Sequence, residues 1–295
     1  MDLTPVTPTE SMNPALLLLS LPNELLLLVA DNLDRSRDLY SLFLVNHHLA
    51  SLLTPHLHGF AVENREGMSA LQWAAYKGHL GLAKLLVDKG FDVNYCPPGG
   101  WRARWPPIFY AIRSCKFALV QLLLDNGADI DTRVFANSTL LHMTVYTMTN
   151  ALELNFDSDE TSEMAEFRLQ AVEMPAVLQV LLGRQPAHWP INDYGYTALH
   201  EAARRCKNGK MASLELLLEH GVDVNHANID GMTALHNAAL RGRLEAAKFL
   251  VQQGAFVLAK NKEGYTPLQL AMRRGHATVI ELLMEYEPVE DESEL

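Results

Sequence analysis

One seven-residue motif recurs along this chain, and its recurrence constrains the fold more than any other feature. Thr197–Ala203 reads Thr-Ala-Leu-His-Glu-Ala-Ala, and Thr233–Ala239 differs from it at one position. Four looser copies of the motif begin at Ser69, Pro106, Thr139 and Thr266. In three copies a glycine follows the first motif residue 21 positions later. A regular period of this kind indicates a repeat protein, in which each unit packs only on its neighbours.

Each copy carries the signals of a pair of helices. The opening Thr or Ser can cap a first helix, and Pro107 and Pro267 suit the first turn, where no backbone N–H is needed. Gly78 is placed to end a first helix, and Gly90 to end the apolar helix that follows it. Because one helix pair cannot bury its apolar face alone, the pairs must stack into one elongated core.

The motif and its spacing resemble the ankyrin repeat, whose period is about 33 residues and whose signature is T-P-L-H-x-A. The resemblance covers residues 61–287 in six copies. It implies an all-α fold, an ankyrin-repeat solenoid of helix-turn-helix repeats with β-hairpin-like turns, which binds another protein. Residues 288–295 are expected to form an acidic tail.

Two copies depart from the pattern. The third is interrupted by an acidic insertion near residues 148–173, which is either a solvated, mobile loop or a loop that contacts a partner. The second replaces the usual hairpin with a Pro/Gly-rich tip that carries Trp101 and Trp105. These two rings are expected either to form an exposed contact site or to pack in the core.

The segment before the repeats forms a separate unit. Residues 1–14 are rich in Thr and Pro and predict a flexible tail, whereas residues 15–60 predict three short helices. Ser20 can cap the first helix, and Leu25 and Val29 lie four residues apart on one of its faces. A helical unit of this size buries little apolar surface and needs a partner.

This unit resembles an F-box of the kind that precedes ankyrin repeats in fungal proteins. The resemblance implies docking on the Skp-type adaptor of a cullin ubiquitin ligase through seven residues: Leu21, Pro22, Leu25, Val29, Leu39, Leu42 and Val45. It departs from the family pattern at Asn46 and Leu49, where many F-boxes carry Cys and Trp. The alternative is that the three helices only cap the first ankyrin repeat.

A cation recurs at the end of the first helix in five of the six copies, at Lys77, Arg113, Arg204, Arg205, Arg241, Arg273 and Arg274. A cation near a helix C-terminus is stabilised by the helix dipole, which explains the pattern without any ligand. The alternative is a groove for acidic partners or for the chain's own acidic insertion. The candidate target-binding residues on the concave face and hairpin tips are Trp73, Tyr76, Lys77, Tyr110, Arg113, Tyr194, Arg204, Arg205, Arg241 and Arg273.

The net charge of −11 argues against a protein that binds nucleic acid. Most of it lies in two segments: Glu153–Glu173 has seven acidic residues and one basic residue, and Glu285–Leu295 has six acidic residues, so each nets −6. Subtracting both from −11 leaves +1 for the rest of the chain. An acidic protein partner is therefore compatible with the total charge.

Motifs for catalysis are missing from the sequence. It has no phosphate-cradling Gly loop, no His-Glu-x-x-His and no Gly-x-Ser-x-Gly, so we expect neither an enzyme nor a cofactor. His142, His200 and His236 occupy the fourth motif position, where they are expected to hydrogen-bond within the turn rather than hold a metal. Three unpaired cysteines and no apolar run of about 18 residues favour a cytoplasmic or nuclear protein without a membrane span.

These features predict a substrate-recognition subunit of an SCF-type (Skp–cullin–F-box) E3 ubiquitin ligase. The N-terminal unit would dock on the adaptor, and the repeats would hold a target protein. We expect the chain to be a monomer outside that complex. The competing interpretation is an ankyrin-repeat scaffold with no link to ubiquitin.

Overall fold

The structure is a computed structural model that describes residues 68–97, 104–151, 173–184, 189–206 and 211–286. The predicted N-terminal tail, the F-box-like unit with its seven adaptor-contact candidates, most of the acidic insertion and the acidic C-terminal tail lie outside the described residues.

The described residues form twelve α-helices in six consecutive pairs. The first helices of the pairs are α1 (Ala70–Lys77), α3 (Pro107–Arg113), α5 (Leu140–Ala151), α7 (Ala198–Arg205), α9 (Ala234–Leu240) and α11 (Pro267–Arg274). The second helices are α2 (Leu80–Asp88), α4 (Phe117–Asp125), α6 (Met174–Gly183), α8 (Ala212–Glu219), α10 (Leu244–Gln252) and α12 (Ala277–Met284). In these stretches there is no β-strand, and an isolated β-bridge joins Arg133 to Thr139. The predicted all-α solenoid of helix pairs is confirmed for this part of the chain.

The first helices pack side by side in one layer, and the second helices lie behind them. The small motif residues allow this close approach, since Ala74 and Ala75 in α1 and Ala238 and Ala239 in α9 are completely buried. The buried apolar side chains form one cluster that runs through all six pairs. The core is therefore continuous along the solenoid, as stacking of marginal units requires.

In repeats 1, 3, 4 and 5 the fourth motif residue ties the repeat to the next one. Nδ1 of His236 accepts the Thr233 backbone N–H at 3.1 Å, and its Nε2 lies 3.1 Å from the Tyr265 carbonyl oxygen. A carbonyl can only accept, so the ring is neutral and carries its proton on Nε2. In the first repeat the amide of Gln72 makes the same two bonds, to the N–H of Ser69 and the carbonyl of Trp105. The predicted hydrogen bonds within the turn are confirmed, and they extend across the repeat boundary.

The third repeat keeps its helix pair, and its first helix is longer than the others. Its first helix has 12 residues, against seven or eight in the other first helices. Met148 and Thr149 are buried parts of α5, so the segment in which the insertion is predicted begins as an extension of this helix. The bounds of the insertion stay a prediction. The second helix of this repeat spans Met174–Gly183.

Trp105 resolves one of the alternatives left open by the sequence. Only 5% of the residue is exposed, and its ring lies 4.8 Å from that of Phe109 and 4.3 Å from that of Phe135, between ring centroids. Core packing is therefore correct for Trp105, whereas Trp101 lies outside the described residues.

Candidate functional site

A cavity of about 660 Å³ opens on the layer of first helices. Its walls come from α3, α5 and α7 and from the turns that precede α5 and α7. We call it the first-helix cavity; its charged and aromatic lining comprises Phe109, Arg113, Phe135, His142, Tyr146, Tyr194, Tyr196, Glu201, Arg204 and Arg205. The regular stacking of helix pairs thus places residues from three successive repeats around one space.

One motif position supplies a row of side chains to this cavity. Counting from the capping residue, the eighth position holds Arg113 in α3, Tyr146 in α5 and Arg204 in α7. Because these helices pack side by side, the three residues follow one another across the cavity wall. The row alternates a cation, an aromatic ring and a second cation.

Glu201 ties two of the cavity arginines to one carboxylate. Nη2 of Arg204 donates to both carboxylate oxygens at 2.8 Å, and Nε of Arg205 donates to Oε1. Burial raises the pKa of Glu201, but the hydrogen bonds and charges of Arg204 and Arg205 outweigh it and hold the pKa below the ordinary value. The carboxylate is therefore ionised at neutral pH. Arg205 also stacks on Tyr146, with its guanidinium carbon 4.2 Å from the ring centroid.

The cavity is electropositive although the chain is acidic. Among the described residues, its ionised side chains are three arginines and Glu201, which give a net charge of +2. His142 adds no charge because burial lowers its pKa. Arg113 is exposed at the end of α3, and it has no ion-pair partner among the described residues. It is therefore the cavity cation that a ligand can reach without displacing an internal partner.

The turn before α5 is left-handed at two residues that are not glycine. Ala136 has φ 48° and Asn137 has φ 57°, whereas Gly195, with φ 70°, occupies the position of Asn137 in the next repeat. An alanine in this conformation costs about 1 kcal/mol or more. The same turn carries Phe135, whose ring contacts Trp105 while the residue stays 54% exposed. The strained turn thus presents an aromatic ring to the cavity.

A second cavity, of about 520 Å³, lies farther along the same face. Its lining is more polar and includes three cations and two carboxylates: Lys262, Arg273, Arg274, Asp230 and Glu263. Tyr196 lines both cavities, so they are neighbours on one continuous surface.

The ten predicted target-binding residues are distributed unevenly over this surface. Four of them line the first-helix cavity and one lines the second: Arg113, Tyr194, Arg204, Arg205 and Arg273. Four others line neither cavity: Trp73, Tyr76, Lys77 and Arg241. Tyr76, Lys77 and Arg241 are exposed, whereas Trp73 is half-buried. Their part in target binding stays a prediction.

The burial of Tyr110 shows that its prediction as a target-binding residue is wrong. Only 4% of the residue is exposed, and its ring packs edge-on against Phe109 at 5.3 Å between centroids. All residues of α3 from Pro107 to Ile112 are buried, and Arg113 is exposed because it is the last residue of the helix. Tyr110 is therefore a packing residue.

Sequence reasoning missed Phe135, Tyr146, Tyr196 and Glu201. A signal existed for two of them: Tyr146 occupies the same motif position as Arg113 and Arg204, and Glu201 is the one difference between the two best motif copies. Phe135 left no comparable signal, because its exposure depends on the left-handed turn that follows it.

The described residues contain no group of three or more His, Cys, Asp or Glu side chains placed to hold a metal ion. In the same stretches no helix is both long enough and apolar enough to cross a membrane. Both ring nitrogens of His142 are engaged, with Thr139 on one side and the Tyr196 carbonyl on the other. This cavity histidine is thus a structural bridge between repeats.

Comparison with protein families settles what kind of solenoid this is. The sequence model described as "Ankyrin repeats (3 copies)" matches residues 39–134 and 205–293, more than half of the chain. The chain belongs to the ankyrin-repeat family. Ankyrin repeats give the protein a role in protein–protein interaction, and proteins of this family are typically non-enzymatic interaction modules.

Several curated proteins are similar over part of the chain. Transient receptor potential cation channel subfamily A member 1 of Homo sapiens is 28% identical over 60% of this chain and 14% of its own length. The B-cell lymphoma 3 protein homolog of Mus musculus is 31% identical over 28% of this chain and 17% of its own length. A putative ankyrin repeat protein of Rickettsia bellii is 29% identical over 44% of this chain and 19% of its own length. The chain therefore spans less than a fifth of each of these relatives.

Proposed function

We propose that this ankyrin-repeat protein binds a target protein in the first-helix cavity and delivers it to an SCF-type ubiquitin ligase. The observation that carries the target-binding half is the cavity itself, which collects three arginines and four other aromatic or acidic side chains from three repeats: Arg113, Arg204, Arg205, Phe135, Tyr146, Tyr194 and Glu201. Arginine and tyrosine are among the residue types that dominate the binding energy of protein interfaces.

The cavity is suited to binding rather than to chemistry. Its volume lies within the range of about 300–1,000 Å³ that is usual for ligand sites. His142 has both nitrogens in hydrogen bonds to the fold, and Glu201 is held by two guanidinium groups. Neither group is poised to exchange a proton with a ligand, so both fit a recognition surface.

The ligase half of the proposal rests on the N-terminal sequence. Leu21 and Pro22 open a segment that the sequence predicts to be helical, and its F-box-like apolar pattern continues through Leu25 and Val29 to Val45. A helical unit this small gains stability by burying its apolar face on a partner, and a Skp-type adaptor would supply that surface. The chain would then act by proximity, holding its target beside the ubiquitin-loading enzyme.

Capture of a purified Skp-type adaptor by the full-length chain tests the ligase half. The wild-type chain should retain the adaptor, and the Leu21→Ala/Pro22→Ala double variant should lose it, because the substitutions remove apolar contact from the docking face. The matched control is Leu3→Ala/Pro5→Ala, which makes the same two changes in the predicted tail. Equal capture by all three chains, or by none, would overturn this half.

A second candidate is an ankyrin-repeat scaffold with no link to ubiquitin. It is favoured by the family match, which starts at residue 39, inside the segment that the F-box pattern claims. On this reading, residues 39–60 belong to the repeats and cap their first helix pair. The scaffold is the correct candidate if the chain retains a target protein but never the adaptor.

A further inference from the structure

We propose that the first-helix cavity recognises an extended acidic segment of the target, with one bulky aromatic side chain inserted between the acidic positions. This inference rests on the target-binding half of the proposed function. It does not require the adaptor, so the two can fail separately.

Charge complementarity points to the acidic character of the segment. The cavity carries +2 in a chain whose total is −11, so it is a local reversal of the protein's own charge. Arg113 is exposed and has no ion-pair partner in the described part of the chain. A carboxylate that accepts from this guanidinium forms a charge-assisted hydrogen bond, which is roughly twice as strong as a neutral one.

The aromatic anchor follows from the exposed rings. Phe135 and Tyr194 are each 54% exposed, and Tyr146 is 40% exposed, although all three face one cavity. Aromatic side chains prefer to pack on one another in offset or edge-on arrangements, and such pairs add to the gain from burying apolar surface. An aromatic side chain placed among these rings would cover them and expel water from the cavity.

The spacing of the repeats fixes the length of the segment. Neighbouring first helices that pack directly lie about 8–10 Å apart, so α3 and α7 are separated by roughly 20 Å. An extended chain covers about 3.3 Å per residue, so roughly six residues bridge the two helices. Tyr146 lies between Arg113 and Arg204 in the row of eighth positions. The anchor therefore belongs near the middle of the segment, with acidic residues on both sides.

Glu201 sets how strongly the far side of the cavity attracts this segment. Its carboxylate already occupies Arg204 and Arg205, in the way that an acidic ligand would. Removing that charge while keeping the shape, with Glu201→Gln, takes away the carboxylate that competes with an acidic ligand for the Arg204 guanidinium. The proposal thus predicts one variant that binds more tightly than the wild-type chain.

Fluorescence anisotropy with labelled synthetic peptides tests the proposal on the full chain. The probe is fluorescein-Gly-Asp-Glu-Trp-Glu-Asp-Gly; one matched peptide replaces each acid by its amide, and another replaces Trp by Ala. We expect the probe to bind saturably and each matched peptide to bind about tenfold more weakly or worse, because each lacks one of the two recognised features.

Matched variants localise the binding. Arg113→Gln should weaken binding of the probe about tenfold, and Glu201→Gln should tighten it severalfold. Lys84→Gln and Lys248→Gln remove exposed cations of the second helices α2 and α10 that line neither cavity, and they should leave binding unchanged. Circular dichroism spectra that match the wild-type chain show that each variant is folded.

Three results would overturn the inference: no saturable binding of the probe, equal binding of the amide peptide, or equal losses in Arg113→Gln, Lys84→Gln and Lys248→Gln. The last result would indicate attraction to the surface charge in general instead of binding in the cavity. Peptide binding without adaptor capture would leave this inference intact and remove only the ligase proposal.

Discussion

Repeats 5 and 6, formed by α9–α12, keep the motif almost intact, whereas repeats 2 and 3, formed by α3–α6, depart from it and enclose the first-helix cavity together with α7 of repeat 4. In repeats 5 and 6 the left-handed positions are all glycines, such as Gly242 and Gly254. The non-glycine residues with positive φ in the described chain are Cys115, Ala136 and Asn137, all in repeats 2 and 3.

The two regions reach the same backbone geometry at their turns with different residue types. The regular repeats place glycine where the turn needs it, so they reach the solenoid geometry with little strain. Repeats 2 and 3 reach the same geometry with residues other than glycine, for which a positive φ is strained. One of these residues, Ala136, lines the cavity. Strained backbone of this kind persists where the surrounding structure over-determines it, and it is concentrated at functional sites.

The largest expected effect tests the bridge that holds the regular repeats together. His236→Leu would leave the buried Thr233 N–H and the Tyr265 carbonyl without the imidazole. At about 1–3 kcal/mol for each unsatisfied group, the free energy of unfolding should fall by about 4 kcal/mol. Urea denaturation followed by circular dichroism measures the change.

The matched control is His236→Gln. Because Gln72 makes both bonds at the equivalent position of repeat 1, this variant should lose much less stability than His236→Leu. Equal losses in the two variants would show that the bridge contributes little and that the imidazole matters only for its volume.

Acid should destabilise repeat 4, which lies between the departing repeats 2 and 3 and the regular repeats 5 and 6. Burial lowers the pKa of His200 in α7 to about 4, from an ordinary value of 6.5. Above pH 6.5 the His200 ring is neutral in both the folded and the unfolded chain. As the pH falls from 6.5 towards 4, the ring binds a proton in the unfolded chain but stays neutral in the folded chain. The free energy of unfolding should therefore drop by about 3 kcal/mol over this range.

Urea denaturation at a series of pH values checks this dependence. Burial lowers the pKa of His142 and His236 as well, so the wild-type chain should lose stability in the same direction at all three positions. His200→Gln should remove the contribution of this histidine to the dependence of the free energy of unfolding on pH. At pH 7 the stability of the variant should stay close to that of the wild-type chain. An unchanged slope in that variant would contradict the assignment.

The smallest expected effect measures the strain in the cavity turn directly. Ala136→Gly relieves a left-handed alanine but loosens the unfolded chain, so the net gain should be only about 0.5 kcal/mol. The reverse exchange in a regular repeat, Gly231→Ala, should cost about 2 kcal/mol, because its Cβ would meet the Lys262 backbone nitrogen at 3.0 Å at a φ of 74°. Thermal denaturation of both variants decides the comparison: destabilisation by Ala136→Gly would show that the turn is unstrained.

Much of the fold could be predicted from the residues, but the composition of the site could not. The positions of Thr233, Gly78 and Pro267 predicted helix starts and ends correctly, because caps and left-handed glycines act over a few residues. The basic positions Arg113, Arg204 and Arg205 were recognised, but their neighbours Phe135 and Tyr196 were not. Tyr110 was misplaced because seven consecutive residues of a short helix give too little periodicity to identify its buried face.

By itself, the sequence determined that this protein is a stack of helix pairs with a defined period, since each pair is specified by interactions between residues three or four positions apart. Only the tertiary structure decided that Trp105 and Tyr110 are buried in the core. It also decided that the Glu201 carboxylate pairs with Arg204 and Arg205 and so cancels one positive charge of the cavity. These outcomes depend on contacts across repeats, such as the bond from Gln72 to the Trp105 carbonyl, 33 residues away. Such contacts form when neighbouring repeats pack, so no single copy of the motif contains them.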